Sequence, residues 1–519
     1  MTANARIALN VVATYGRSLY ALVLGLFSSR WVLMSLGQVD FGLYGVVGGL
    51  TAFICFFNNL LSMAVVRFYA VSVGEANVAY SKDQGIEECR KWFSTAMLLH
   101  TVIPTILILI GYPIGKWAVA NFLTIPDDRI ADCIWVWRFT CFSCFVGMLN
   151  VPFQSMYTAK QEIAELTIYS FATTTTNFFF LYYMATHPSV WLARYAMWMC
   201  ALSVIPSLII CSRAVIKYPE CRMKFEYLWD ASRMRQLLFY SSARFWTALS
   251  GMLSSQGQNI VVNKYLGPAF NASMTVGGQV TSHASTLSSA ISGAFWPAIA
   301  NTAGEGDVDK VKSLSFRVCK LSTLMVLIFI IPLSLEIDKV LRLWLKTPPE
   351  FASEICIAVM FGAICERITE GYWMAVMGVG KRVGYYSWII GWTGFCGFFI
   401  SFALLWAGLG LWGVCIAIVI AKIITICLRL YLGHVILGMS STRWFRQVML
   451  PLVILSVLTL SAGLPPRFFM QESFLRVCVT SASCVAAFIL LSWSAVLSKS
   501  EKAVLVQKTC AVFGKHHIR

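Results

Sequence analysis

Apolar runs of about 20 residues or more, parted by short polar turns, follow one another along the whole chain, and each is long enough to cross a bilayer as a helix. They occupy Ile7–Met34, Phe41–Val71, Cys89–Ala118, Ala131–Tyr157, Glu162–Ala185, Val190–Ile216 and Gln236–Val262. The pattern continues with Ala269–Ala300, Ser313–Ile337, Ala352–Met377, Val383–Ala407, Leu411–Ile436, Trp444–Leu464 and Phe474–Leu497. It predicts an all-α polytopic membrane protein with about 14 transmembrane helices. The first run is far longer than the apolar core of a signal peptide and lacks a convincing small-residue cleavage site, so it is expected to remain as the first helix.

The interruptions in these runs recur in register. A shift of about 230 residues places Leu36-Gly37 on Leu266-Gly267, Val47-Gly48-Gly49 within one residue of Val276-Gly277-Gly278, and Gly74-Glu75 on Gly304-Glu305. A shift of about 222 pairs Ile114, Lys116 and Thr124 with Ile337, Lys339 and Thr347, and Met156 and Lys160 with Met377 and Lys381. Unlike features in constant order read as an internal duplication. Six helices per copy give both copies the same orientation, hence two parallel lobes. The expected organisation is an N-lobe over 1–217, a cytoplasmic linker over 218–235, a C-lobe over 236–438, two further helices over 439–497 and a basic tail over 498–519. Two facing lobes with polar residues at their seam describe an alternating-access transporter.

Polar groups inside the spans point to the cargo. A guanidinium at bilayer depth costs at least about 2.5 kcal/mol, so it faces the bundle interior or a wet cavity. In the first helix Asn10, Arg17 and Ser28 share nearly one face, whereas Arg30 falls off it and reads as a snorkelling anchor. The seventh and eighth spans are too polar for lipid on all sides: Gln258, Asn259, Gln279 and His283 are expected to line a cavity, among serines and threonines of which some only bond back to their own helix. The fifth span repeats the theme at Thr173 to Asn177. Interior charge is mostly positive, with Arg17, Arg67, Arg138, Arg244 and Lys422 as the expected cationic cavity and Arg429 close to that set. Guanidinium matches phosphate oxygens, so the cargo should carry an anionic group. Glu366 and Glu370 stand one helical turn apart with Arg367 in reach of Glu370. Two readings stay open for them, a local ion pair or a site coupling transport to a proton or sodium gradient.

Composition narrows the class. The 519 residues are 58% hydrophobic and 13% charged, which excludes an ordinary soluble enzyme. The net charge of +17 concentrates in alternate loops and the tail, an orientation signal that places both termini in the cytoplasm and leaves no reason to invoke nucleic acid. The seventeen cysteines are scattered through apolar runs, so no disulfide framework is expected. Cys141-Phe-Ser-Cys144 lies mid-helix without a second ligand pair, and no metal site follows from it. Gly408-Leu-Gly410-Leu-Trp-Gly413 fits a dinucleotide fingerprint, but no strand precedes it and it falls between the eleventh and twelfth spans. No catalytic residue and no cofactor is assigned, and the chain is not read as an enzyme.

The segments RIALNVVATYGRSLYALVLGLFSSRWVLMSLGQVDFGLYGVVGGL, QNIVVNKYLGPAFNASMTVGGQV and GLGLWGVCIAIVIAKII resemble polysaccharide-biosynthesis flippases. These are the Wzx-type members of the multidrug/oligosaccharidyl-lipid/polysaccharide exporter superfamily, and the resemblance runs over essentially the whole chain. It implies a V-shaped pair of six-helix bundles in the bacterial inner membrane. The implied task is to move an undecaprenyl-diphosphate-linked oligosaccharide to the periplasmic leaflet for O-antigen, capsule or exopolysaccharide synthesis, with polysaccharide polymerase machinery downstream. A cationic cavity for the diphosphate and sugar is implied as well. Drug-exporting relatives typically bind cations through acidic residues, whereas here the first helix has arginine and no acid within its span. A lipid II flippase resembles the same pattern. Two rivals of other kinds are a cation-coupled multidrug exporter and a membrane glycosyltransferase or polymerase, the last disfavoured by short outer loops.

Overall fold

The computed structural model describes residues 3–76, 82–160, 162–187, 189–242, 245–497 and Lys502. Arg244, the side chain of Asn10 and nearly all of the tail lie outside the described residues. All regular structure among the described residues is helical. In chain order the spans are α1 (3–36), α2 (38–76), α3 (Lys82–Trp117), α4 (Ile130–Ala159), α5 (Ile163–Thr186) and α6 (Leu192–Lys217). Next come α7, in pieces from Ala231–Ser242 to Gln258–Leu266, then α8 (Pro268–Gly304) and α9 (Val308–Leu335). The series ends with α10 (Ala352–Arg367 and Glu370–Val379), α11 (Val383–Trp406), α12 (Gly410–Leu437), α13 (Ser441–Phe469) and α14 (Phe474–Leu491). Every expected span falls on one of these helices.

Nine described helices are long and apolar enough to cross a membrane on those criteria alone, the α1–α2 run counting once. The expected spans outside that set are α5, α7, α8 and α10. They are the ones with hydroxyl runs, amides or internal breaks. Such helices are tolerable at depth only where protein or a water-filled cavity meets their polar positions.

The chain forms two compact units. The first holds Met1–Val276, Trp344–Ala352 and Ser387–Ala417, and the second holds Gly277–Leu343, Ser353–Tyr386 and Ile418–Arg519. This division follows packing rather than the duplication, since α7 and α11 of the second copy belong with the first unit. Trp246 of α7 stacks on Phe395 of α11 at 4.6 Å and donates to the Trp388 carbonyl.

Within the first unit the two copies meet around matched glycines. The expected loop between α1 and α2 contracts to one residue, Gly37, with φ 74° and ψ 173°. Its repeat mate Gly267 parts α7 from α8 with φ 91° and ψ 175°. A Cβ strains that backbone, so glycine at both places lets one helix follow another without a loop. Close by, Gly42 lies so near the Pro268 carbonyl that a side chain there would overlap it, and a Cβ on Gly45 would meet Thr275 Oγ1 of its own repeat mate at 2.9 Å.

The same joint is made twice with different chemistry. In the first copy Arg129 pairs with Asp40 at 3.0 Å. At the equivalent positions of the second, Phe351 stacks on Phe270 at 5.7 Å. Between the copies, Gln38 donates to the Pro348 carbonyl at 3.3 Å, Trp344 to the Leu26 carbonyl at 2.6 Å, and the Thr124 amide to Asn263 Oδ1 at 2.8 Å.

One expectation is corrected here. Cys55 of α2 and Cys144 of α4 form a disulfide, with Cα atoms 6.4 Å apart and 89 residues between them in sequence. Each lies mid-helix, so only the packing of α2 against α4 reveals the pairing. Cys141, the other half of the CxxC, remains a free buried thiol.

The linker lies along the start of α3. Thr95 donates to the Tyr227 carbonyl at 3.2 Å, Arg90 donates to the Pro219 carbonyl at 3.1 Å, and Lys224 pairs with Glu87 at 2.7 Å.

In the second unit the extra helices are fastened by a buried ion pair. Arg476 of α14 donates to Glu336 at 2.8 Å, Thr480 adds a second bond, and the Glu336 side chain is 1% exposed. Arg467 of α13 caps the Leu335 carbonyl at 2.6 Å.

Gly42→Ala should lower the thermal stability of detergent-purified protein, since overpacking of this kind costs about 1–3 kcal/mol. Gly278→Ala, where an added Cβ meets nothing within 4 Å, should leave the melting curve in place.

Candidate functional site

The site is built on a broken helix. α10 stops at Arg367 and resumes at Glu370, with Ile368 and Thr369 between. Thr369 leaves helical geometry at φ −119°, ψ 6°. After the break Gly371 packs against the Ser315 carbonyl so closely that a side chain could not be placed there. Interrupting a helix inside a membrane protein frees backbone carbonyls, and each one buried without a partner costs about 1–3 kcal/mol.

Three neighbouring helices supply the donors. Arg429 of α12 donates to the Glu366 carbonyl at 3.1 Å and to Thr369 Oγ1 at 3.2 Å. Ser322 of α9 shares its hydroxyl proton between its own helix at the Val318 carbonyl, 2.7 Å away, and the Arg367 carbonyl at 3.2 Å, and Trp444 of α13 donates to the Ile368 carbonyl at 2.9 Å. The hydroxyl of Thr369 turns back to the Cys365 carbonyl at 3.2 Å.

Charged side chains gather on this frame. Lys422 of α12 stands 3.3 Å from Glu366 Oε2, and Arg367 reaches both oxygens of Glu370 at 2.9 Å. The second pair is shielded, at 15% and 13% side-chain exposure, whereas Lys422 and Glu366 are 36% and 50% exposed. Arg367 also touches Ser289 of α8 at 3.4 Å. Against the two carboxylates stand three cations, because Arg429 is held by a carbonyl and a hydroxyl rather than by a carboxylate. The cluster therefore carries a surplus of one positive charge beside the hydroxyl-bearing helix α8. In a partly desolvated setting such a surplus favours an anion.

The other expected residues have separate surroundings. Arg17 is half-buried on α1. Arg67 lies 4.6 Å above the Tyr240 ring, and Arg138 lies 4.6 Å above Trp135 while donating to Tyr112 Oη at 3.3 Å. Arg17, Arg67 and Arg138 have no carboxylate partner among the described residues, and no contact joins them to one another. Gln258 is buried in α7. Asn259 bonds to Gln256 at 3.4 Å through its side chain, while its carbonyl receives Asn271 at 2.7 Å, so its contacts tie α7 to α8. Gln279 keeps its side-chain oxygen buried with no partner among the described residues, and His283 is half-buried on α8. Thr281, Thr286, Ser289 and Ser292 bond back to their own helix, and Ser288 crosses to the Ser322 carbonyl at 3.0 Å.

Sequence reading missed the donors that hold the break. Ser322 and Trp444 look like an ordinary hydroxyl and an interface aromatic in sequence. The neighbouring β-branched pair Ile368-Thr369, between two glutamates, was the available signal.

No family model and no curated protein matches the chain. Solved structures do. The lipid II flippase MurJ in an inward closed conformation aligns with a TM-score of 0.64 and 11% identity, over 93% of this chain and 98% of that one. An inward-facing multidrug resistance MATE family transporter of the MOP superfamily aligns at 0.59 and 14%, over 85% and 100%. The outward-facing conformation of such a transporter aligns at 0.52 and 16%, over 83% and 95%. At these identities the likeness shows a shared all-helical fold, and the nine described helices long and apolar enough to cross a membrane agree with a multi-pass membrane protein.

Trp444→Phe removes the donor to the Ile368 carbonyl and should cost about 1–3 kcal/mol of unfolding free energy, read as a lower melting temperature. Trp406→Phe, at a side chain 76% exposed, should shift it little.

Proposed function

We propose that the protein is a flippase that carries an undecaprenyl-diphosphate-linked oligosaccharide across the bacterial inner membrane for surface polysaccharide synthesis. The observation that carries this reading is the positive surplus at the break of α10, where Arg429 and Lys422 outweigh what Glu366 can neutralise. Arg17, Arg67 and Arg138, without a carboxylate partner among the described residues, add to the same sign. A diphosphate offers matched acceptors to guanidinium groups, whereas a cationic drug would meet repulsion.

In this account both termini are cytoplasmic and the cargo head enters from that side while its prenyl chain stays in lipid. Arg17, Arg67 and Arg244 engage the diphosphate, and Lys422 with Arg429 offers it a further cationic site. Rocking of the two repeats then opens the site to the other leaflet. Discontinuous helices near the midplane are where transporters of several folds bind their substrates and ions. No bond is made or broken, and a polymerase would consume the delivered lipid. Glu366 takes the coupling role, since the cargo's arrival at Lys422 competes with its own ion pair and invites its protonation or a sodium ion.

A second reading is favoured by one observation, the fold likeness to the lipid II flippase MurJ over 93% of this chain. In that reading the cargo is lipid II.

The test is translocation in vesicles loaded with lipid-linked oligosaccharide, followed by leaflet-specific labelling. Arg17→Gln and Lys422→Gln should each slow translocation about 10-fold or more while inserting normally, the loss expected for a charge-assisted hydrogen bond worth about 1.5–3 kcal/mol. Glu366→Gln should remove the response to an imposed pH or sodium gradient. Wild-type rates in both arginine and lysine variants would refute the charge-based reading.

A further inference from the structure

A cavity, separate from the charged cluster, lies in the first unit among α2, α4 and α6, with a volume of about 660 Å³. That size is within the range of about 300–1,000 Å³ in which proteins hold small molecules. None of its lining residues is charged. A diphosphate placed there would find no countercharge and an ammonium no carboxylate, so either would lose its hydration uncompensated.

What the wall does offer is neutral and two-sided. Thr51, Thr140 and Ser143 spend their hydroxyl protons on carbonyls of their own helices, at 2.6, 2.9 and 2.8 Å, and so present oxygen lone pairs as acceptors. The side chains of Ser62, Ser203 and Gln154 make no hydrogen bond among the described residues and remain available as donors. Tyr44, packed on Tyr195 with ring centroids 4.7 Å apart, adds an aromatic surface at the wall. Acceptors, donors and one ring without any charge are complementary to a ligand whose own surface alternates hydroxyls with C–H faces.

We infer that this cavity binds the uncharged, hydroxyl-rich part of the cargo, one or more sugar residues of the lipid-linked oligosaccharide. The assignment rests on the flippase reading above and concerns the saccharide part of the cargo alone.

Two glycines in the wall make the test clean. A Cβ built on Gly48 or Gly147 meets nothing within 4 Å, so a larger side chain at either enters open space rather than a packed neighbour. The experiment measures binding to purified full-length protein of two probes, the lipid-linked oligosaccharide extracted from the expressing cells and undecaprenyl diphosphate without sugar. Gly147→Leu and Gly48→Leu should weaken the glycosylated probe about 10-fold or more, with affinity for the bare diphosphate within about 2-fold of wild type. The bare lipid also serves as the folding check, alongside the melting curve.

Unchanged affinity for the glycosylated probe in both variants would overturn the assignment, as would equal loss of both probes in protein that melts normally. Should one variant fail to fold, the other decides. Wild-type protein that binds neither lipid would defeat the flippase reading itself, and the assignment with it. That outcome is distinct from selective or unselective loss in the variants.

Discussion

A carbonyl freed inside a membrane protein must find a donor, and the way α10 meets that demand organises the second unit. Its three open carbonyls draw Arg429, Ser322 and Trp444 from three different helices. Two of those donors are neutral and serve packing alone. The third is a guanidinium, and using it as a backbone cap brings a full charge to mid-helix without a carboxylate to cancel it. The charge surplus and the helix break are thus one feature: the break needs Arg429, and Arg429 makes the place attractive to anions.

The duplication shows how a fold keeps a joint while changing its chemistry. Gly37 and Gly267 hold nearly the same backbone angles, so both copies join consecutive helices through a single residue. Beside them an arginine–aspartate pair in one copy faces the same task as a phenylalanine stack in the other. Aromatic and ionic pairs can each clamp a helix start to a neighbouring loop, but only the ionic one depends on partial solvent access, which the 32% exposed side chain of Arg129 retains. Geometry is the shared inheritance of the two copies, and polarity differs where their surroundings differ.

Much of the fold was legible because apolar length is a strong signal in lipid: every expected span lies on a helix, and the matched glycines set the repeat. The polar spans α5, α7, α8 and α10 also stood out in sequence for the reason that keeps them outside the purely apolar set. What could not be read was pairing across helices. Cys55 and Cys144 are two among seventeen cysteines until α2 is seen against α4. The pairing of Arg367 with Glu370 was visible at i, i+3, whereas Lys422 reaches Glu366 across 56 residues, beyond any local rule. The neutral cavity left no trace either, since its glycines and hydroxyls read as helix-packing residues one at a time.

The proposed function turns on cations held at a broken helix receiving an anionic lipid head. Its most direct measurement compares the affinity of wild-type protein for undecaprenyl diphosphate and for undecaprenol, which shares the tail and lacks the charge. The diphosphate should bind about 10-fold tighter or more at low ionic strength, with the difference shrinking as salt screens the site. Equal affinity for the two lipids, unaffected by salt, would contradict it.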